Sequence, residues 1–320
     1  MPDFAFATCL PGLEPAVKRD VLRARPELRL AYSRPGLVTF KSDRAIGADD
    51  ARGTPFARVW GRSLGPARDP DAAAHQLAFL GVQRVHVFAR DPDAAVDVAP
   101  WERAIAMSTG PAAPGELVAD VMIAADEPAW LGLHRASDDQ PAHAGGAIPV
   151  DVPADAPSRA YAKLDEAIAW ARLPIAAGDV ALDIGSAPGG AALALARRGV
   201  DTWCVDAAEL APQVRALPNV HHLAITIGAL RFEQLPARVD WLLVDMNVAP
   251  QIAVHEVLRF APRLAPTLRG AVITLKLNDW DVVDELPALV QRIAQLGLPD
   301  VRLRHLPSNR REVCAVAQRA

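Results

Sequence analysis

The sequence predicts an α/β protein with a Rossmann-like C-terminal domain and an N-terminal region of α+β type. Two observations carry this prediction. From Ser158 onward, helical segments alternate with short strands that are apolar throughout, namely VALDIG, TWCVD, WLLVDM and AVITLKL. Such strands are typical of a parallel sheet that helices cover on both faces. The first of them runs into a glycine-rich turn, GSAPGG, which opens a helix.

The N-terminal region contains two successive sets of strand and helix signals. In residues 1–60, a strand and a helix precede a hairpin that turns at Pro35-Gly36. In residues 61–147, a strand, a helix and a further strand precede a second hairpin. We therefore predict two small α+β domains with these bounds. The segments in chain order are FAFATCL, LEPAVKRDVLRAR, LRLAYSRPGLVTF, FARVWGRSLG, DPDAAAHQLAFLG, RVHVFAR and ELVADVMIAADEPAWLGLHRAS.

A segment rich in Pro, Gly, Asp and Ala, SDDQPAHAGGAIPVDVPADAP, then leads into the third domain, residues 148–320. Its last two strand signals are VRLRHLP and REVCAVAQR, and Pro307-Ser308-Asn309 separates them. We expect these two segments to close the domain as an antiparallel hairpin.

The composition narrows the cellular setting. Three cysteines, Cys9, Cys204 and Cys314, lie far apart with no metal-ligand spacing, which favours a reducing cytoplasm. We expect no leader, because the start MPDFAFATCLPGLEP has no basic segment followed by a long apolar run, and no membrane partner, because no stretch approaches roughly 18 apolar residues. The net charge of −4 counts mildly against nucleic acid without excluding a local basic patch. Adjacent strand residues such as His221-His222 point to opposite faces, so we expect no metal site.

The glycine-rich turn is compatible with two kinds of cofactor. Gly185, Ala187 and Gly190 fit a loose dinucleotide fingerprint, and Asp206, at the end of the next strand, suits a ribose diol in either case. Asp183 separates the two possibilities, because a carboxylate there would repel a pyrophosphate. S-adenosylmethionine carries an α-ammonium and no phosphate. The pattern therefore favours S-adenosylmethionine over a nicotinamide dinucleotide.

Charged residues also stand at the ends of the next two apolar strands. Asp245 follows WLLV, and Lys276 ends VITLK. The carboxyl ends of parallel strands meet at one edge of the sheet, so these side chains should face the same crevice as Asp183. Only four of the 34 basic residues are lysines, and Lys163 and Lys276 are the two in the C-terminal half. Unlike arginine, lysine can be tuned to lose its proton and act as a base.

These residues resemble the FtsJ-like ribose 2′-O-methyltransferases. Within that class, the chain is most similar to the RlmM family, which methylates a cytidine of large-subunit ribosomal RNA. The resemblance runs from about Gly146 to the C-terminus. It rests on IPVDVPADAPSRAYAKLDEA, on the loop LDIGSAPGG, and on VDM, LKL and REV. It implies a class I S-adenosylmethionine-dependent methyltransferase domain.

The resemblance also implies a catalytic tetrad, Lys163, Asp245, Lys276 and Glu312. Lys276 would be the general base that a ribose hydroxyl requires near neutral pH. Both the neighbouring ammonium of Lys163 and desolvation would lower the pKa of Lys276. Asp245 and Glu312 would orient the amines and the ribose, and Asp245 would also reach the α-ammonium of the cofactor.

By the same resemblance, Ser158 and the loop Ala187-Pro188-Gly189-Gly190 would line the cofactor, and Asp206 would hold its ribose. Two positions depart from the family pattern. No acidic residue stands near the adenine, where this chain has Ile227 and Gly228, and Ala191 replaces an aromatic residue that often follows the loop glycines.

The N-terminal region resembles the family's ferredoxin-like domain and, more loosely, its THUMP-type RNA-binding domain. We therefore expect an RNA partner, with large-subunit rRNA or a pre-ribosomal particle as the substrate, and a monomeric protein. Two alternatives stay open. One is a methyltransferase for a small molecule or a protein, and the other is a non-catalytic RNA-binding or assembly protein that retains the fold.

Overall fold

The computed structural model describes residues 3–50 and 53–319, and the chain divides into two compact units, Met1–Ala147 and Ile148–Ala320. The strands of the first unit are β1 Asp3–Thr8, β2 Leu28–Arg34, β3 Leu37–Ser42, β4 Val59–Ala67, β5 Arg84–Ala89, β6 Leu117–Ala124 and β7 Glu127–Arg135. Its helices are α1 Glu14–Ala24, α2 Pro70–Leu77 and α3 Ala99–Ile105. A 3₁₀ turn follows at Ala144–Gly146.

The strands of the second unit are β8 Val180–Ile184, β9 Asp201–Val205, β10 Val220–Leu223, β11 Trp241–Val244, β12 Gly270–Lys276, β13 Asp300–Arg304 and β14 Glu312–Gln318. Its helices are α4 Ala160–Ala171, α5 Gly190–Arg197, α6 Pro212–Arg215, α7 Pro250–Leu258, α8 Ala261–Leu264 and α9 Val282–Ala294. Two 3₁₀ turns, Ile227–Ala229 and Phe232–Gln234, lie between β10 and β11. Within the described part of the chain, no helix combines the length and the apolar character needed to cross a membrane.

The first unit contains one seven-stranded sheet in the order β2-β3-β1-β4-β7-β6-β5. β4 spans residue 60 and pairs with β1 on one side and with β7 on the other. The segments that we assigned to residues 1–60 and 61–147 therefore share a single sheet. The two predicted hairpins are present as β2–β3 and β6–β7. Helix α3 was not predicted, because seven residues are too few to show a helical period.

The second unit is a Rossmann-like sheet in the order β10-β9-β8-β11-β12-β14-β13. The first five strands of that order are parallel, and β14 is antiparallel to both β12 and β13. The order reverses between β8 and β11, because the chain runs outward from β8 in one direction and from β11 in the other. Ligands of doubly wound sheets bind at the carboxyl ends of the strands beside such a reversal.

Apolar strands and an apolar helix form the core of the second unit. All four residues of β11 are buried, and α5 buries every residue from Ala192 to Ala196. Trp241 is only 1% exposed, and its indole N–H donates to Asp179 Oδ2 over 2.8 Å. This core fixes the carboxyl ends of β8, β11 and β12, where the charged residues stand.

Candidate active site

The four residues of the predicted tetrad come from four different elements. Lys163 lies on α4, Asp245 directly follows β11, Lys276 ends β12, and Glu312 begins β14. Lys276 and Glu312 are direct partners in the antiparallel ladder between β12 and β14. Asp245 extends the neighbouring strand, since its amide donates to Ile184 O of β8 over 3.0 Å. The sheet register alone therefore brings three of the four side chains to one edge.

The four side chains form a closed ring of alternating charge. Lys163 Nζ lies 2.8 Å from Asp245 Oδ2 and 2.6 Å from Glu312 Oε1. Lys276 Nζ lies 2.9 Å from Asp245 Oδ1 and 2.6 Å from Glu312 Oε2. Each lysine thus bridges both carboxylates, and the formal charges cancel. All four side chains are at most 25% exposed, so solvent screens these pairs only weakly.

The ring shifts the pKa values of its members. Burial alone would raise the pKa of Glu312, but hydrogen bonds from Lys163 and Lys276 outweigh it and lower that pKa to about 2. Burial alone would lower the pKa of Lys276, but the charges and hydrogen bonds of Asp245 and Glu312 outweigh it and raise that pKa. Our expectation of a lowered pKa for Lys276 is therefore wrong for the protein without ligands. It counted desolvation and Lys163 but not the two carboxylates.

Two buried residues that sequence reasoning missed hold the ring in place. Glu166, one turn after Lys163 on α4, accepts hydrogen bonds from Ser308 N over 2.9 Å and from Ser308 Oγ over 2.7 Å. Asn309 Nδ2 donates to Glu312 Oε1 over 3.3 Å. The turn Pro307-Ser308-Asn309 thereby links α4 to β14. A glutamate in the otherwise apolar face of α4 was the sequence signal for this contact.

Glycines let this loop adopt a left-handed backbone and pack closely against its neighbours. Gly185 and Gly189 have φ of 79° and 106°, in the left-handed region that favours glycine. A Cβ on Gly190 would lie 2.4 Å from Ser158 Oγ, so the predicted residue Ser158 packs directly against the loop. Asp206 orders the loop, because its carboxylate accepts from Ala187 N over 3.0 Å.

Asp183 is the most perturbed carboxyl of the site. It is 2% exposed, and among the described residues its Oδ2 has no hydrogen-bond partner. Burial, followed by the charges of Asp245 and Asp206, raises its pKa to about 7. A small cavity of about 30 Å³ is lined by Asp183, Asp245 and Lys163, among others. A cationic group placed there would satisfy the buried oxygen, which is what the α-ammonium of S-adenosylmethionine offers.

The remaining sequence features separate into those near the site and those away from it. Arg310 and Arg311 are exposed beside Glu312, and Arg311 stacks on Trp280 at 4.7 Å. Arg302 and Arg304 instead lie over Trp170, at 5.4 and 5.8 Å, and Arg304 is buried. Only the first pair therefore presents positive charge next to the tetrad.

The histidine pair lies on β10, and the two departures from the family pattern lie in the turn after β10 and at the start of α5. His221 Nε2 contacts Asp201 Oδ1 at 2.6 Å, whereas His222 Nε2 contacts Asp206 O at 3.0 Å. The two rings thus have different partners, as adjacent strand residues should. Ile227 and Gly228 lie in the 3₁₀ turn after β10, and a Cβ on Gly228 would come no nearer than 4.0 Å to Thr226 Oγ1. Ala191 lines the small cavity beside Asp183.

Comparison with known proteins identifies the class of this domain. Residues 156–278 match the model of the FtsJ-like methyltransferase family. The second unit therefore contains an FtsJ-like methyltransferase domain, and the matched range includes Lys163, Asp245 and Lys276.

Particular relatives share one name. "Ribosomal RNA large subunit methyltransferase M" of Chromohalobacter salexigens is 34% identical over 185 residues, which are 53% of this chain and 50% of that protein. The protein of the same name from Azoarcus sp. (strain BH72) is 32% identical over 219 residues, 63% of this chain and 57% of that protein. The chain thus spans about half the length of the curated relatives that it matches. The solved structure of TrmN from Thermus thermophilus is 17% identical at a TM-score of 0.36, covering 99% of this chain and all of that one.

Proposed function

We propose that this protein is an S-adenosylmethionine-dependent methyltransferase that transfers a methyl group to a ribose 2′-hydroxyl of large-subunit ribosomal RNA. The observation that carries the proposal is the closed ring of Lys163, Asp245, Lys276 and Glu312 beside the glycine-rich loop. An alcohol is a poor nucleophile near neutral pH, so its methylation requires a positioned base. Two amines held by two carboxylates supply that base and fix its position.

The cofactor would be held by the loop and by three carboxylates. Asp183, with its unsatisfied buried oxygen, and Asp245 would bind the α-ammonium, and Asp206 would bind the ribose. Ser158 and the loop Ala187-Pro188-Gly189-Gly190 would line the remainder. Bound S-adenosylmethionine supplies a methyl group on a sulfonium, which an oxygen nucleophile accepts while the sulfur keeps the bonding electrons. Adenine contacts near Ile227 and Gly228 would come from the backbone, because no acidic side chain stands there.

Lys276 would take the proton of the ribose hydroxyl. The two carboxylates of the ring would control when Lys276 is deprotonated and able to accept that proton. In the protein without ligands, Asp245 and Glu312 raise the pKa of Lys276 and keep it as an ammonium. Pairing of Asp245 with the α-ammonium of the cofactor would leave Glu312 as the one carboxylate of the ring in contact with Lys276. Lys163 would keep its contact with Glu312, and its positive charge would favour deprotonation of Lys276. Loss of the Asp245 contact would thus favour the neutral, basic form of Lys276 when the cofactor site is filled, with the lysine proton passing to solvent.

Several features support an RNA substrate in the cytoplasm. The relatives carry the name of an rRNA methyltransferase, and exposed Arg310 and Arg311 beside the tetrad suit phosphate contacts. The first unit would contribute ferredoxin-like and THUMP-like RNA binding.

The three buried, unpaired cysteines fit a reducing compartment. Because one chain supplies all four tetrad residues, a monomer would suffice for catalysis.

The proposal is tested in a bacterial strain that lacks its large-subunit rRNA cytidine 2′-O-methyltransferase. Ribose methylation is mapped across the rRNA after the strain receives wild-type protein or Lys276→Ala. We expect the wild type to restore one ribose mark and the variant to restore none. A mark restored equally by Lys276→Ala would remove Lys276 as the base. Isothermal titration with S-adenosylmethionine provides the parallel check, since absence of heat at millimolar cofactor would reject any methyltransferase.

A further inference from the structure

A second cluster of polar side chains is buried in the first unit, outside the methyl-transfer site. His86 lies on β5, Asp120 on β6 and His134 on β7, and none is more than 1% exposed. His86 and Asp120 are direct partners in the parallel ladder between β5 and β6. His134 lies opposite Val118, which is two residues before Asp120 and so on the same face of the sheet. The three side chains therefore converge.

The hydrogen bonds of the two rings orient both histidines toward Asp120. His86 Nε2 lies 3.1 Å from Gly110 O, and His134 Nε2 lies 3.2 Å from Pro141 O. A carbonyl oxygen only accepts, so each Nε2 carries a hydrogen. In a neutral ring, Nδ1 then presents a lone pair. Both Nδ1 atoms face the carboxylate of Asp120, at 2.6 Å for His134 and 4.0 Å for His86.

Three electron-pair donors that face one another in a buried site require a cation between them. A proton on His134 would account for its short contact with Asp120 Oδ2. It would leave His86 Nδ1 and Asp120 Oδ1 unsatisfied, and neither atom has a hydrogen-bond partner among the described residues. A metal ion would satisfy all three donors at once.

We propose that His86, Asp120 and His134 form a zinc site that ties together the last three strands of the first unit's sheet. Imidazole and carboxylate are ligands that Zn²⁺ accepts in tetrahedral sites. The three ligand atoms lie within 4.8 Å of one another, and tetrahedral bonds of about 2.0–2.2 Å would place them roughly 3.3 Å apart. The separations run from 2.6 Å, between His134 Nδ1 and Asp120 Oδ2, to no more than 4.8 Å for any pair of the three ligand atoms. The side chains would therefore shift on binding, by up to about 1.5 Å for the widest pair.

The surroundings supply what a zinc site needs beyond its ligands. Metal-bound histidines typically donate their other N–H to a carbonyl, as His86 does to Gly110 and His134 does to Pro141. A cavity of about 240 Å³ is lined by His86, Gly110 and His143. Asp120 and His134 do not line this cavity, but it can hold water beside the His86 ring, and a water molecule is the fourth ligand that the proposal requires. The sequence predicted no metal, because the cysteines lack metal-ligand spacing and adjacent His221 and His222 point to opposite faces; the ligands proposed here come from three separate strands.

The site is tested on the full-length protein after treatment with a chelator. Co²⁺, the spectroscopic probe, is titrated while its visible absorption is recorded, and Zn²⁺ is titrated by calorimetry. We expect one ion per chain, a tetrahedral cobalt spectrum, and a higher unfolding temperature with Zn²⁺. If wild-type protein gives neither cobalt absorption nor zinc heat, the proposal is rejected and the cluster holds a proton instead.

Variants locate the metal without relying on methyltransferase activity. Asp120→Asn and His86→Gln keep the side-chain sizes and should weaken binding at least about 100-fold. His75→Ala, at an exposed histidine of the same unit, is the matched control and should bind as the wild type does. Circular dichroism verifies that each variant folds. Unchanged affinity and stoichiometry in both folded ligand variants would overturn the assignment. Because all readouts are metal binding and stability, a failure of the proposed methyl transfer would not affect them.

Discussion

Replacement of Asp183 by asparagine should raise the stability of the second unit without cofactor and lower its affinity for cofactor. The carboxyl is buried, and its pKa rises from the ordinary 3.8 to about 7. That rise corresponds to roughly 4 kcal/mol of free energy that disfavours the charged form in the folded state. In the unfolded chain the group ionises near its ordinary pKa. Wild-type stability should therefore fall as pH rises from about 4 to about 7, and then stay level.

Asp183→Asn removes this loss, because an amide does not ionise. Without cofactor, the variant should be more stable than wild type at pH 8, by up to about 4 kcal/mol, and the difference should shrink toward pH 4. Its affinity for S-adenosylmethionine should fall at least about tenfold, because a charge-assisted contact to the α-ammonium is lost. In wild type, binding should tighten as pH rises toward 7, since ionised Asp183 is the form that binds a cation.

The assays are thermal unfolding from pH 4 to pH 8 and calorimetric titration of the cofactor at several pH values. Asp201→Asn is the matched control. Asp201 begins β9, so it lies in the same sheet as Asp183 but at the amino ends of the strands, and it is partly exposed. The reasoning is refuted if Asp183→Asn binds cofactor as wild type does at pH 8. It is also refuted if the wild-type and variant unfolding curves keep a constant separation over this pH range.

Three further variants test the rest of the site. Glu312→Gln should cost up to about 3 kcal/mol of stability at pH 7, because the folded protein lowers the pKa of Glu312 to about 2. The difference in stability from wild type should vanish as pH falls from about 4.5 toward 2. Urea unfolding measures it, with Glu233→Gln at an exposed position as the control. Gly190→Ala should lower the unfolding temperature and weaken cofactor binding, since its Cβ would lie 2.4 Å from Ser158 Oγ. Gly228→Ala should leave the unfolding temperature unchanged, because its Cβ would come no nearer than 4.0 Å to Thr226 Oγ1. Glu166→Gln should lower the methyl-transfer rate about tenfold and leave the calorimetric cofactor affinity unchanged, because it loosens Ser308 and not the glycine-rich loop.

The sequence predicted the parts of the molecule that depend on local pattern. Four strands could be predicted because burial on both faces leaves a continuous apolar run, and the loop after the first of them could be predicted with them. These strands are β8, β9, β11 and β12. The tetrad was predicted through resemblance, and the register of Lys276 opposite Glu312 shows why those two positions meet.

Features that depend on long-range pairing were not predicted. The single sheet of the first unit depends on pairing of β4 with both β1 and β7, which no local pattern shows. The contact of Glu166 with Ser308 joins residues that are distant in the chain. The raised pKa of Lys276 requires the positions of both carboxylates around it. The cluster of His86, Asp120 and His134 likewise arises only when three strands align.

The most direct test of the central claim is the chemical position of the transferred methyl group. Purified protein is incubated with methyl-labelled S-adenosylmethionine and with rRNA from the strain that lacks the modification, and the RNA is digested to nucleosides for mass spectrometry. The account predicts label in 2′-O-methylcytidine, with the single-turnover rate reduced about 10²- to 10⁴-fold in Lys276→Met. Label on a base ring, no label in RNA, or an unchanged rate in Lys276→Met would contradict it.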